Sequence, residues 1–79
     1  MRLSIEPGVY TQLNQVEDEF IIQNLSNYDL FVKYSDTQPD NRDEYDLVIE
    51  PKCGLTSSHM PGKVWGKPSG KYNIAVGIV

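Results

Sequence analysis

The sequence predicts an all-β protein, a small antiparallel β-sandwich or partly open barrel of about six to seven short strands. Three observations carry this expectation. Apolar residues recur with period two, most clearly near the C-terminus, where Tyr72, Ile74, Val76 and Ile78 alternate with Asn73, Ala75, Gly77 and Val79. That alternation gives a strand one buried face. Clusters of Pro, Gly, Asn, Asp and Ser interrupt the apolar runs every 8–12 residues or so, which is sandwich or barrel spacing. Helical spacing is nearly absent. The best helical window, residues 9–20, has apolar residues at Val9, Tyr10, Leu13, Val16 and Phe20. It follows Pro7-Gly8 and has no capping Ser, Thr, Asp or Asn at its start.

The first element expected is therefore a turn at Glu6-Pro7-Gly8, followed by an irregular strand. A strand over Glu19–Leu25 comes next, and Asn24-Leu25-Ser26-Asn27 forms a turn-rich patch. The strand Asp29–Ser35 places Leu30, Val32 and Tyr34 on one face and Phe31, Lys33 and Ser35 on the other. Its distance from the preceding strand is that of a hairpin. A polar loop, Asp36–Glu44, leads to a strand over Tyr45–Glu50, and Pro51-Lys52-Cys53-Gly54 reads as a turn. Leu55–Met60 is extended and Pro61-Gly62 turns again. Lys63–Gly66 and Lys71–Val79 complete the set. Ile22, Leu30, Val32, Leu47, Ile49, Val64, Trp65, Ile74, Val76 and Ile78 are the expected core. An apolar strand reaching the last residue must pair in its own sheet or lie against another subunit.

Seventy-nine residues make one domain. A chain of this size buries only roughly 60–65% of the surface its unfolded form exposes and commonly needs added support. One cysteine forms no internal disulfide, and no Cys/His cluster offers a zinc site, so oligomerisation or docking on a larger partner is the expected support. The net charge of −4 disfavours a nucleic-acid partner, because backbone binding runs on clustered Lys and Arg. Lys63, Lys67 and Lys71 are separate charges at strand edges. No segment reads as a signal peptide or a membrane span.

Candidate chemistry is sparse, and no cofactor is expected. Asp36, Asp40, Asn41, Asp43, Glu44 and Asp46 crowd oxygen donors into one loop, the ligand type that calcium takes. The spacing does not match a calcium-binding loop, its turn glycine is missing, and Arg42 would repel a cation; a solvated loop with Asx turns is the simpler reading. Cys53 and His59 could form a nucleophilic pair only in contact and with a third group to orient them. Ser57 and Ser58 supply hydroxyls without a nucleophile elbow. Trp65 with Tyr72 could form a platform for a sugar, although a Trp in a small β domain more often anchors a core or interface. The five tyrosines suit a surface that is apolar on one side and wet on the other.

Taken in order, the segments FIIQNLSNYDLFVKYSDTQP, LVIEPKCG and GKVWGKPSGKYNIAVGIV resemble the short all-β virion proteins of tailed bacteriophages and prophages. Phe20, Gln23, Asn24 and Ser26 match an aromatic-x-x-Gln-Asn-x-Ser strand. Ser35 and Pro39 match the strand and loop that follow, and Pro51, Gly62, Val64, Trp65 and Gly66 match an Ile-x-Pro turn and a Gly-x-Val-Trp-Gly strand. The resemblance covers most of residues 18–79. It implies a non-enzymatic particle subunit, such as a head decoration, head–tail or tail accessory protein, assembled into virions in the host cytoplasm. Its partners would be other copies of itself or a larger virion protein. Trp65, Tyr72, Ile74, Val76 and Ile78 are the residues expected at the interface. A carbohydrate- or surface-binding module of a tail fibre or prophage is the alternative.

Overall fold

The alternating runs fold into eight strands in the computed structural model, which describes residues 2–13, 21–56 and 63–78. In chain order these are β1 (Arg2–Ile5), β2 (Thr11–Gln12), β3 (Ile21–Asn24), β4 (Leu30–Tyr34), β5 (Leu47–Ile49), β6 (Gly54–Thr56), β7 (Val64–Pro68) and β8 (Ile74–Ile78). They form two four-stranded antiparallel sheets, ordered β1-β8-β3-β6 and β2-β7-β4-β5. The shortest dimension of the molecule, 18 Å, matches two sheets stacked about 10 Å apart with their outer side chains. The sandwich expectation holds. One strand, β1, was not anticipated. Phe20, the upper half of the 9–20 window, Ser57 to Gly62 and Val79 lie outside the described residues.

The core follows from the two registers. Ile5 pairs with Ile74, Leu3 with Val76 and Ile22 with Ile78, so these side chains all leave one face of the first sheet. Leu30 pairs with Ile49 and Val32 with Leu47 on the second. Ile5, Leu13, Ile22, Leu30, Val32, Ile49, Val64, Ile74 and Val76 are buried together, with Leu3, Tyr34, Leu47, Leu55 and Ile78 packed around them. The apolar strand near the C-terminus is not an edge: β8 lies between β1 and β3. Its pairing is therefore met within one chain.

Trp65 is buried as expected, but outside the cluster between the two sheets. Its neighbours Val64 and Gly66 point inward, so period two turns the indole to the outer face of its sheet, beside Lys33 and Gln12. Leu13 takes the vacant interior place. It lies directly over Gly66, where an added Cβ would come within 2.9 Å of a Leu13 methyl. Gly77 serves in the same way on the outer face of the first sheet, where Leu25 folds over it and a Cβ would approach to 3.3 Å.

Filling the Gly66 site should overpack the core. Gly66→Ala is expected to destabilise by about 1–3 kcal/mol, read as a lower denaturation midpoint with an unchanged slope. Gly66→Ala combined with Leu13→Val, which removes a methylene from the contact, should recover part of the loss.

Candidate functional site

The loops after β1, β3, β5 and β7 gather at one end of the sandwich, because each of these strands runs toward that end in the antiparallel registers. Two tyrosines stand there in the open. Tyr28, in the β3–β4 loop, and Tyr72, in the β7–β8 loop, stack with ring centroids 5.4 Å apart and planes 19° apart. They remain 46% and 65% exposed, so each ring covers one face of the other and leaves the rest to solvent. Offset stacking at this separation is the favoured geometry of an aromatic pair.

Beneath the pair lies a polar hub made by Asn24, the only buried polar side chain among the described residues. Its Nδ2 donates to the carbonyls of Tyr28 at 2.7 Å and Ile49 at 3.0 Å. Its Oδ1 accepts from the Ser26 amide at 3.0 Å and lies 2.7 Å from the Ser26 hydroxyl. Acceptors on one side and a donor on the other allow the amide one orientation only. The Ser26 hydroxyl in turn accepts from the Tyr28 amide at 3.1 Å. Asn24 also exchanges backbone bonds with the next turn: its N–H donates to Cys53 and its carbonyl accepts from Lys52, both at 2.9 Å. One residue thus fixes three segments, including the backbone that carries Tyr28. The Ser69 amide donates to the Asp29 carbonyl at 3.2 Å, which ties the Tyr72 loop to the Tyr28 loop.

The turn at residues 50–53 closes with the Cys53 amide donating to Glu50 at 3.0 Å. Pro51 occupies its second position and Lys52, at φ 65°, its third. This is the type II arrangement, which favours glycine where Lys52 stands. The Lys52 ammonium reaches the Leu25 carbonyl at 2.8 Å and partly offsets that strain.

The acidic loop makes a set of contacts with the second sheet. It folds back over the outer face of the second sheet. Lys67 Nζ donates to the Asn41 carbonyl at 2.7 Å, the Tyr10 hydroxyl to the Asp43 carbonyl at 2.9 Å and Gln38 Nε2 to the Tyr10 carbonyl at 3.0 Å. The Tyr45 ring stacks on Phe31 at 4.1 Å, and Lys67 sits 4.9 Å from the centre of the Tyr10 ring. Three of its carboxylates, though exposed, accept hydrogen bonds from groups of the loop or of β4. Asp40 accepts from the backbone and side chain of Arg42, which lowers its pKa, while Asp43 accepts from the Asp40 amide and Asp46 from the Tyr34 amide. Among the described residues no three His, Cys, Asp or Glu side chains converge as a metal site.

The five residues expected at an interface separate in the structure. Ile74 and Val76 are wholly inside the core and Ile78 is half-buried against it. Trp65 is 9% exposed, and its indole N–H donates to the Ser35 carbonyl at 2.8 Å. Tyr72 alone is open. The ring beside it belongs to Tyr28, not to Trp65, so the Trp–Tyr sugar platform is not the arrangement that forms. Cys53 is exposed; Ser57, Ser58 and His59 lie outside the described residues. Among the described residues no helix is long and apolar enough to cross a membrane. No family model, curated protein or solved structure matches the chain.

Removing the Asn24 hub should loosen the loop end and the fold together. Asn24→Ala leaves the Ile49 carbonyl and the Ser26 amide without this partner, and the Tyr28 carbonyl with only the Ser26 hydroxyl in reach, so a loss of about 2–4 kcal/mol is expected in chemical denaturation.

The loop clamp should be alkali-sensitive. Burial, then the nearby Asp43 and Asp46 charges, raise the Tyr10 pKa above its ordinary value, and Tyr34 is raised by burial and Asp46. A raised folded-state pKa contributes stability below the unfolded value of about 10, and this is lost as pH rises through the folded value. Melting temperature should therefore fall above about pH 10, and Tyr10→Phe, although less stable at neutral pH, should show a shallower fall.

Proposed function

We propose that this chain is a non-enzymatic structural subunit of a tailed-bacteriophage or prophage particle. It would decorate or join the head or tail through strand-edge and aromatic packing, with other copies or a larger virion protein as partner. The observation that carries the reading is the exposed Tyr28–Tyr72 stack. Tyrosine is enriched at protein interfaces, where its ring is covered and its hydroxyl finds a polar partner. A pair held open by a buried hydrogen-bond hub is pre-organised for docking, because little further ordering is required on binding.

The sequence resemblance supports the same reading. Two of its matching residues, Asn24 and Ser26, build the hub beneath the stack, and Pro51 shapes the turn bonded to it. The open face of Tyr72 also favours a second reading, a surface- or carbohydrate-binding module from the same kind of particle.

The test is composition of the particle. Virions produced from the genome that encodes this chain should be purified on a density gradient and their proteins quantified by mass spectrometry. The chain is expected to co-sediment at a fixed ratio to the major structural protein. Tyr72→Ala should lower that ratio severalfold without lowering the melting temperature of the free protein. A chain found only in the soluble fraction overturns the particle role. Retention on glycan beads that disappears in Tyr72→Ala would then establish the second reading.

A further inference from the structure

We propose that β1 is a self-pairing edge, which joins two copies of this chain through antiparallel β1–β1 contact about a two-fold axis at Ser4. The inference deepens the particle-subunit reading and rests on it for the presence of many copies. Its physical basis lies in the direction of the peptide groups. The Leu25 amide donates to the Ala75 carbonyl, so Ala75 directs its backbone polar groups toward β3. Successive residues of a strand direct theirs to opposite sides, so Ile74 and Val76 face β1. Their partners Ile5 and Leu3 complete that ladder. The N–H and C=O groups of Arg2 and Ser4 consequently point off the sheet, and no hydrogen bond to them is found among the described residues.

Among the described residues the sandwich has four edges, and they are not equivalent. β2 has two residues, β5 and β6 have three each, and β1 has four. Shortness is a common protection of an edge, as are proline, bulges and inward-pointing charge. β1 reads RLSI; among the described residues it is the longest of the four and has none of the other devices.

The sequence around β1 selects a second copy as its partner. Pairing centred on Ser4 sets Arg2 opposite Glu6 of the other chain, and symmetry repeats this pair. Arg2, Ser4 and Glu6 are all exposed, so the charges meet in a rim that remains wet. The same register sets Leu3 opposite Ile5, which keeps core-facing residues on the core side of both sheets. Leu3 is half-buried in one copy and gains a cross-strand neighbour. The register one step away, with Leu3 on Leu3, would set Arg2 against Ser4 and leave both charges unmatched. Joined in this way, the β1-β8-β3-β6 sheets of two copies become one eight-stranded sheet across the axis.

The test measures solution mass by light scattering and sedimentation from micromolar to millimolar concentration, on the full chain. The expected result is a monomer–dimer equilibrium. Arg2→Glu and Glu6→Arg should each weaken it about tenfold, since each sets like charges opposite at two symmetric positions. The double variant, with the charges exchanged, should restore it. Ser4→Pro removes an N–H that β8 does not use, so the melt should be retained and the dimer abolished. Should Ser4→Pro fail to fold, the three charge variants decide. A chain monomeric throughout, or a dimer indifferent to the charge exchange, overturns the β1 contact. Particle incorporation is read separately, so either result leaves the subunit reading to its own test.

Discussion

The loop end of this sandwich depends on Asn24, a polar side chain that the core has enclosed completely. An amide in that position is tolerable only with its partners in place, because the low local dielectric that strengthens each bond also raises the penalty of a missing one. Its partners come from three separate segments: the Ser26–Tyr28 loop, the end of β5 and the turn at Lys52 and Cys53. An aliphatic residue here would pack well but would leave the loop and the turn without these bonds to β3 and β5. The hub therefore contributes geometric definition, and the accessible tyrosine stack inherits that definition through the Tyr28 backbone.

The acidic loop solves a related problem on the outer face of the second sheet. Phe31, Trp65 and Tyr10 would present a large aromatic surface on that face. The Tyr45 ring that follows the loop covers Phe31, and the loop fastens itself mainly through backbone carbonyls accepting from Tyr10 and Lys67. Its carboxylates cap amides within the loop and beside β4. Acidity in this segment thus accompanies turn formation, and the two lysines on the sheet face, Lys33 and Lys67, lie beside an anion or a carbonyl already in the molecule. The contrast between the two surfaces is instructive: one aromatic group is roofed, and the other is held out.

Strand alternation made much of the fold legible. The runs around Leu30, Leu47 and Ile74 read correctly because each has a one-sided apolar pattern over several residues, and the turns at Pro51 and after Asn24 carry their own residue chemistry. β1 was missed because four residues of alternation are too few to stand out, and its partner lies at the far end of the sequence. Trp65 reads as an anchor whose N–H meets a backbone carbonyl, and it is buried with that bond; its place on the outer face follows from the register with Gln12 and Lys33. Leu13 could not be seen in its place, since its position follows from the empty space over Gly66. Asn24 read as a turn residue; its role as a hub depends on carbonyls from Tyr28 and Ile49 that only the folded chain assembles. The tyrosine stack was half visible. Tyr72 stood out, but its partner Tyr28 lies in the β3–β4 connection, which crosses between the sheets where hairpin spacing was expected to pair the two strands, and no spacing rule connects the two tyrosines.

The placement of β8 between β1 and β3 has a kinetic consequence. The first sheet cannot close by neighbouring hairpins alone, because its order interleaves the earliest strand with the latest. Until β8 inserts, β1 has no ladder and β3 shows one open side. The pairing of β8 with β3 closes a long loop and its pairing with β1 spans nearly the whole chain, which places such a topology among the slower small folds. The β2-β7-β4-β5 sheet holds the shorter-range β4–β5 pairing and is suited to form first as a template. Nascent molecules would then pass through a half-built stage with two strand edges exposed, and crowding at that stage would favour wrong partners over the strand that completes the sheet.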